Sequence, residues 1–169
     1  MSLIRRAGLA EIPKLALIER SAASLFRDAG LAWIADGDTM EPDLLDTMCR
    51  AGTLWVAVDD TGEPVAFLAA HTLDEQFHIA EVSVERSHQR RGIGAALIAA
   101  AEDHARTQGF RGLTLTTYRD LRWNGPYYSA LGFVEVDPLQ AGPGHLKKLL
   151  TEAEAGHDLA RRCVMRKPL

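Results

Sequence analysis

The sequence predicts an α/β protein, a mixed sheet with helices on its faces, and three observations carry that prediction. Residues 76–84 alternate as a β-strand, run into a glycine-bearing turn and an alanine-rich helix, and are followed by a second strand-forming run, GLTLTT, at residues 112–117. Strand, helix and strand in that order make a βαβ unit. Upstream, TLWVAV at residues 53–58 and the run at 65–71 are joined by Asp59-Asp60-Thr61-Gly62-Glu63-Pro64, turn chemistry that makes a hairpin. Finally, the segments flanking the hairpin and the turn carry apolar residues at helical rather than alternating spacing.

In chain order, residues 3–6 form a short alternating edge strand. From Leu9, the residues Ile12, Leu15, Ala16, Ile18, Ala22, Ala23, Leu25 and Phe26 recur at helical spacing, with Pro13 tolerated in the first turn and Gly30 as terminator. Residues 31–39 hold Trp33 and Ile34 without periodicity, and a second helix runs from about Glu41 to Arg50. After the hairpin, Phe77, Ile79, Val82 and Val84 mark apolar sides of the 76–84 strand that a local bulge would reconcile. Ile93, Ala96, Leu97, Ala100, Ala101 and Ala105 build a helix that stops near Gly109. A short helix is expected over 123–131, a strand over 133–136, a helix over 145–155 and a final strand over 161–167. The resulting order is β, α, α, β, β, β, α, β, α, β, α, β.

With 169 residues, the chain fits one domain spanning 1–169. Apolar residues at 47% and charged residues at 25% are ordinary for a soluble globular protein. A formal charge of −4 argues against a dedicated nucleic-acid binder, which would carry a basic excess. Cys49 and Cys163 are isolated, so two free thiols in a reducing cytoplasm are expected. The start, MSLIRRAGLAEIP, lacks the apolar run of a signal peptide, and no segment approaches membrane-spanning length, so no membrane partner is expected. His71, His145 and His157 have no metal-ligand spacing, and no metal is expected. His88 and His104 read as solvated.

The turn after the 76–84 strand reads as an anion site. Gly92 and Gly94 lack a Cβ, so a phosphate can come close to the main chain. The opening turn of a helix has backbone N–H groups without intrahelical partners, and its macrodipole adds positive charge. A diphosphate would sit on the N–H groups of residues 90–95, that is Arg90, Arg91, Gly92, Ile93, Gly94 and Ala95, with two arginine side chains beside it. A dinucleotide fingerprint would need glycine where Leu97 stands, and no Walker A triplet occurs. Gln89-Arg90-Arg91-Gly92-Ile93-Gly94 instead resembles the Q/R-x-x-G-x-G/A acyl-CoA-binding motif of the GNAT superfamily of N-acetyltransferases. Thirty residues on, Asn124-Gly125-Pro126-Tyr127-Tyr128-Ser129-Ala130-Leu131-Gly132-Phe133 resembles that superfamily's Asn-containing segment with its Tyr-x-x-Leu-Gly-Phe ending.

The resemblance covers essentially the whole chain. It implies a central, mostly antiparallel sheet with a splayed parallel pair, the pantetheine arm of acetyl-CoA lying between the strands at 76–84 and 112–117. The helix within residues 143–157 is an insertion that the resemblance does not place. It also implies that Ser83, Val84, residues 89–95 and Asn124 contact the cosubstrate, with the Val84 N–H near the developing oxyanion. Asn124 reads equally as a cap of the short helix.

The chemistry then sets needs of its own. An alkyl amine with a pKa of about 10 must lose a proton before it attacks a thioester. Glu81, where many members place a glutamate, is the candidate general base, against the reading of a surface carboxylate on the strand. His78 could share that role or line the acceptor site, against the plainer reading of a strand-face histidine. The leaving thiolate benefits from a proton donor, and Tyr128 matches the superfamily's tyrosine counting back from Gly132-Phe133, against a core tyrosine. Phe26, Trp33, Arg119 and Trp123 are candidate acceptor contacts, with core or edge packing for the first two and an exposed loop for the last two as the plainer readings. The function expected is acetyl transfer from acetyl-CoA to a small-molecule primary amine within a ternary complex. Acetylation of a protein or peptide, and a non-catalytic acyl-CoA sensor, are the alternatives; some members dimerise, and the sequence leaves that open.

Overall fold

LWVAV at Leu54–Val58 has no polar residue to send to solvent, and all five positions are buried. A strand apolar on both sides belongs inside a sheet. The structure, a computed structural model describing residues 2–169, places this strand (β2) between β1 (Leu3–Arg6) and β3 (Pro64–Leu73). The remaining strands are β4 (Gln76–Val84), β5 (Gly112–Tyr118), β6 (Val134–Val136) and β7 (Arg162–Pro168). They complete a seven-stranded sheet of order β1-β2-β3-β4-β5-β7-β6. β1/β2, β2/β3, β5/β7 and β6/β7 are antiparallel, whereas β4 and β5 pair in parallel at Phe77↔Leu113 and His78↔Thr114. The expected mixed sheet with a parallel pair is therefore present. A register shift lies between Ala57 and Val58 of β2.

The helices are α1 (Ile12–Ala23), α2 (Leu25–Asp28), α3 (Ala32–Ala35), α4 (Pro42–Arg50), α5 (Ile93–Thr107), α6 (Gly125–Ala130), α7 (Pro138–Ala141) and α8 (Pro143–Glu154). The single first helix expected from Leu9 is instead a 3-10 turn at Leu9–Glu11, α1 and α2. Its break falls at Ser24, whose hydroxyl donates to the Ser21 carbonyl at 2.6 Å, a local bond that competes with the helical ladder. Residues 31–39, expected to be irregular, contain the one-turn α3. A second one-turn helix, α7, was not expected; Asp137 caps it by accepting from the Leu139 N–H at 2.9 Å, with Pro138 in its first position.

Two compact units make up the chain, one of residues 1–70 and 81–101, the other of residues 71–80 and 102–169. In the first, α1 touches α2, α3 and α4, α4 touches β2, and Leu15, Val56, Phe67, Leu68 and Leu97 are fully buried. Each such side chain removed from water contributes roughly 1.5–3 kcal/mol. The second is built on β5, β7 and β6, with α7 and α8 against β7. Its buried residues include Phe77, Leu113, Tyr118, Phe133 and, from α8, His145 and Leu149. Those last two are four residues apart, so they share one helix face, which is how the inserted helix joins this core. No helix among the described residues is long and apolar enough to cross a membrane.

Candidate active site

The turn between β4 and α5 is held from three sides within the first unit. Gln89 donates its side-chain amide to the Val84 carbonyl at 2.9 Å, tying the turn to the last residue of β4. Arg86 donates its backbone N–H to Ser21 Oγ at 3.0 Å, and its guanidinium reaches Ser24 Oγ at 3.1 Å and Asp28 at 2.8 Å. Arg91 Nη2 donates to the Ser87 carbonyl at 3.2 Å. Arg90 takes φ +62° and Gly92 φ +79°, two excursions into the left-handed region, on either side of Arg91, that turn the chain into the helix.

Gly92 is the residue that turn requires. Its φ is strained for any side chain, and a Cβ built there would meet nothing within 4 Å, so the space over the main chain is open. The Ala96 N–H bonds the Gly92 carbonyl at 3.0 Å, which makes Gly92 the cap and Ile93, Gly94 and Ala95 the first three helical residues. Their N–H groups have no intrahelical acceptor, and glycine brings no side chain to take them. A 15-residue helix adds its dipole. The arrangement can hold an anion on main-chain donors.

On β4, Ser83 is buried and donates its hydroxyl to Glu81 Oε1 at 2.8 Å. The two lie two residues apart and so face the same side of the strand. The expected Ser83 contact to cosubstrate thus cannot use that proton, which is committed to the carboxylate.

In the second unit, the YYSALGF segment builds α6 and its end. The Phe133 N–H bonds the Tyr128 carbonyl at 3.1 Å and the Gly132 N–H bonds the Ser129 carbonyl at 3.1 Å, the paired bonds of a Schellman cap. Gly132 at φ +97° makes that cap possible. The cap's characteristic apolar contact is made by Tyr128 and Phe133, whose rings lie 5.8 Å apart. The Tyr-x-x-Leu-Gly-Phe spacing is therefore a helix stop that fixes the tyrosine ring, which is 8% exposed. Tyr127 lies edge-on to it at 5.3 Å, and burial pushes the Tyr127 phenol above its usual range. Asn124 stands at the N-cap position but its side chain makes no capping bond; the amide donates to the Trp123 carbonyl at 3.0 Å. The capping alternative is thereby corrected.

The acceptor candidates divide. Phe26 is half-buried and Trp33 is 43% exposed, outside the core but as either edge packing or an acceptor wall would have them. Arg119 is engaged: its Nε and Nη2 donate to the Glu135 carboxylate at 3.0 and 2.6 Å, and its Nη1 donates to the Ala160 carbonyl at 2.5 Å. The hydrogen bonds from Arg119 hold the Glu135 carboxyl below its ordinary range. Arg119 and Glu135 border a cavity of about 190 Å³ beside α6, smaller than the roughly 300–1,000 Å³ of ligand pockets.

His78, expected on the acceptor wall or a strand face, is wholly buried, and its Nδ1 lies 2.9 Å from Thr114 Oγ1. His104, expected in solvent, has its ring 5.3 Å from that of Phe77. Cys49 and Cys163 are free thiols, and burial pushes Cys163 up to about 11. Among the described residues no group of three or more His, Cys, Asp or Glu is disposed to hold a metal ion. Sequence reasoning missed Thr114, His145 and Asp74, which the fold gathers around His78; nothing in their spacing announces them.

A family model described as acetyltransferase (GNAT) matches residues 22–133, about two thirds of the chain. Among solved structures, the chain is similar to the PaiA N-acetyltransferase of Thermoplasma acidophilum in complex with coenzyme A. The TM-score is 0.74 at 15% identity, over 100% of this chain and 99% of that one. It is similar to the ribosomal-protein-S18-alanine N-acetyltransferase of Escherichia coli with a TM-score of 0.67 at 17% identity, over 99% and 94% of the two chains. N-acetylglutamate synthase from Neisseria gonorrhoeae, in complex with coenzyme A and N-acetyl-glutamate, gives 0.72 at 18% identity, with this chain covered in full and 35% of the longer protein. The strand, glycine turn and helix, the capped tyrosine segment and the family match over 22–133 agree: the chain belongs to the acetyltransferase (GNAT) family.

Proposed function

We propose that the protein transfers the acetyl group of acetyl-CoA to the primary amine of a small molecule, by direct attack in a ternary complex. The observation that carries this reading is the turn at residues 89–95, where open main-chain donors at a helix start suit a pyrophosphate. The coenzyme A in two of the similar structures supports the identity of the cosubstrate. Gln89 and Arg91 shape the turn, and Arg90 adds charge. Asn124 and the end of β4 at Ser83 and Val84 complete the proposed cosubstrate contacts.

Glu81, kept as an acceptor by the Ser83 hydroxyl, takes a proton from the amine directly or through water. The freed nitrogen attacks the thioester carbonyl carbon, the C–S bond breaks, Tyr128, fixed by the Gly132 cap, gives its proton to the thiolate and is reprotonated from solvent, and the nitrogen sheds its second proton to leave the amide. Phe26, Trp33 and Trp123 are the proposed acceptor contacts. Free, raised thiols at Cys49 and Cys163 suit a reducing cytoplasm. A second reading, acetylation of a peptide or protein amine, is favoured by the likeness to the S18-alanine enzyme.

Thiol release from acetyl-CoA, measured across amines, polyamines, amino acids, aminoglycosides and short peptides, separates the readings. Turnover confined to small amines is the expected outcome, and turnover confined to peptides would replace it with the second reading. Tight binding of acetyl-CoA with no acetylation of any acceptor would point to a sensor.

A further inference from the structure

His78, Thr114, His145 and Asp74 form one row of hydrogen bonds inside the second unit. Asp74, in the turn between β3 and β4, accepts from the Gly144 and His145 backbone N–H groups at 3.1 and 2.8 Å, and its Oδ2 lies 2.8 Å from His145 Nδ1. His145 Nε2 is 2.7 Å from Thr114 Oγ1, which is 2.9 Å from His78 Nδ1. His78 and His145 are 0% exposed, and Asp74 is 17% exposed at its side chain. His78 Nε2 is buried and has no hydrogen-bond partner among the described residues.

The polarity of the row follows from counting protons. The donors around Asp74 outweigh burial and hold its carboxyl below the ordinary range, so it is an acceptor and His145 Nδ1 carries a hydrogen. In the state with a single hydrogen on His145, at Nδ1, its Nε2 offers a lone pair, which the Thr114 hydroxyl satisfies. The Thr114 oxygen then accepts from His78 Nδ1–H, and His78 Nε2 is left with an unused lone pair. One added proton reverses every bond: it binds His78 Nε2, the Nδ1 proton passes to Thr114 Oγ1, and the Thr114 proton passes to His145 Nε2. His78 ends neutral with a hydrogen on Nε2, and the positive charge rests on His145 beside the Asp74 carboxylate.

We propose that Asp74, His145, Thr114 and His78 form a proton relay, with His78 Nε2 as receiving atom and Asp74 as outlet, that carries off the second proton shed by the acceptor nitrogen, the first being taken by Glu81. The service to acetyl transfer rests on the proposed function; the polarity of the row does not. The unpartnered Nε2 is the observation that points to a donor, since buried polar atoms are nearly always satisfied, and a water bonded to the acceptor nitrogen can supply one. His78 alone is a poor resting place for the charge. Burial, Lys148 and His145 from α8, and His71 from β3 all push its pKa well below the usual value, with only Asp74 opposing. The His71 and His145 rings stand 5.5 and 5.3 Å from it. Thr114 and His145 solve this by moving the cation away from His78. Thr114, His145 and Asp74 act as positioning residues.

Histidine-labelled protein, read by long-range proton–nitrogen NMR, tests the polarity. The expected result near neutral pH is His78 protonated on Nδ1 and bare on Nε2; on acidification His145 becomes doubly protonated while His78 changes tautomer and stays neutral. A hydrogen on His78 Nε2 beside a neutral His145, or a doubly protonated His78, overturns the relay. Kinetically, Thr114→Val should lower kcat by about 10- to 100-fold with the KM for acetyl-CoA unchanged. Because a base acts unprotonated and the isolated His78 is the weaker one, the acid limb of the rate profile should move to lower pH. Thr114→Ser should restore both rate and limb. A parental pH profile in Thr114→Val, or no rescue by serine in a folded variant, also overturns the relay. Absence of turnover in the parent protein would overturn the proposed function and the relay's service to it, and the NMR result would show that the failure lies there.

Discussion

The turn at residues 89–95 and the row from Asp74 to His78 are opposite ways to build a polar site. In the turn, the proposed donors are main-chain N–H groups contiguous in sequence, and the side chains of Gln89 and Arg86 hold the backbone in shape. In the row, the working groups are side chains brought together from separations of 31, 36 and 71 residues. A site made of backbone is specified by where side chains are missing, so substitutions there act through conformation. A site made of dispersed side chains depends on the fold that gathers them, so substitutions there act on stability and chemistry together.

The largest effects are expected where chemistry passes through single side chains. Glu81→Gln and Tyr128→Phe should each lower kcat by about 100-fold or more, the usual weight of a general base or acid, with acetyl-CoA affinity little changed. Steady-state kinetics beside calorimetric titration of acetyl-CoA checks this, and an undiminished kcat in either variant removes that residue from the mechanism. His145→Ala comes next and should act on folding. It removes a fully buried ring and strands Thr114 and Asp74, for a loss of about 3 kcal/mol in urea denaturation.

Gly92→Ala tests the other side of the contrast. Forcing an alanine to φ +79° costs about 1–2 kcal/mol. Since a Cβ there meets no protein atom within 4 Å, the folded protein should lose no more than that strain. If a phosphate lies over the main chain, affinity for coenzyme A should fall by at least about tenfold in addition, a further 1.4 kcal/mol. Equal affinity in parent and variant would show that the open space does not receive the ligand.

Acid sensitivity sharpens the comparison from the side of the row. The Asp74 carboxyl is held below its unfolded value of about 3.9, so the unfolded chain binds its proton first as pH falls. The stabilisation is complete above that pH and is lost as pH falls through the lower, folded value. Asp74→Asn should therefore be less stable than the parent at neutral pH, with the difference shrinking below about pH 4 in denaturation series. A difference independent of pH would mean that the carboxylate charge contributes nothing there.

The same contrast explains what could be read from the sequence. The strand, turn and helix over 76–107 and the Tyr-x-x-Leu-Gly-Phe segment are local devices, a positive-φ glycine with its flanking bonds in each case, and local devices leave a fixed spacing in the chain. The seven strands, in chain order, followed from alternation and turn residues in the same way. His145 looked like one more polar residue on an inserted helix, because what makes it part of a row is α8 meeting the turn at Asp74 and the β5 hydroxyl of Thr114. The break at Ser24 was equally hidden, since serine is common inside helices and only its bond to Ser21 shows that it competes with the ladder. The short α7, by contrast, was announced by Asp137-Pro138, a cap followed by a proline, and could have been found.

Arg119 carries the smallest expected effect. Its bidentate pair with Glu135 joins two side chains that are each 46% exposed, where solvent and salt screen the attraction and two long side chains must be ordered to form it. Arg119→Ala should therefore cost no more than about 1 kcal/mol in stability. An acceptor carboxylate would have to displace Glu135 from the same guanidinium fork, so the KM for the acceptor should also stay within about twofold of the parent, a change worth under 0.5 kcal/mol. A KM raised about tenfold with stability unchanged would instead put Arg119 in the acceptor site and Glu135 in the position of a stand-in for the acceptor's own carboxylate. Glu135→Gln then separates the two cases further: removing the competitor's charge should lower that KM if the acceptor uses Arg119, and leave it unmoved if the pair only ties β6 to the end of β5.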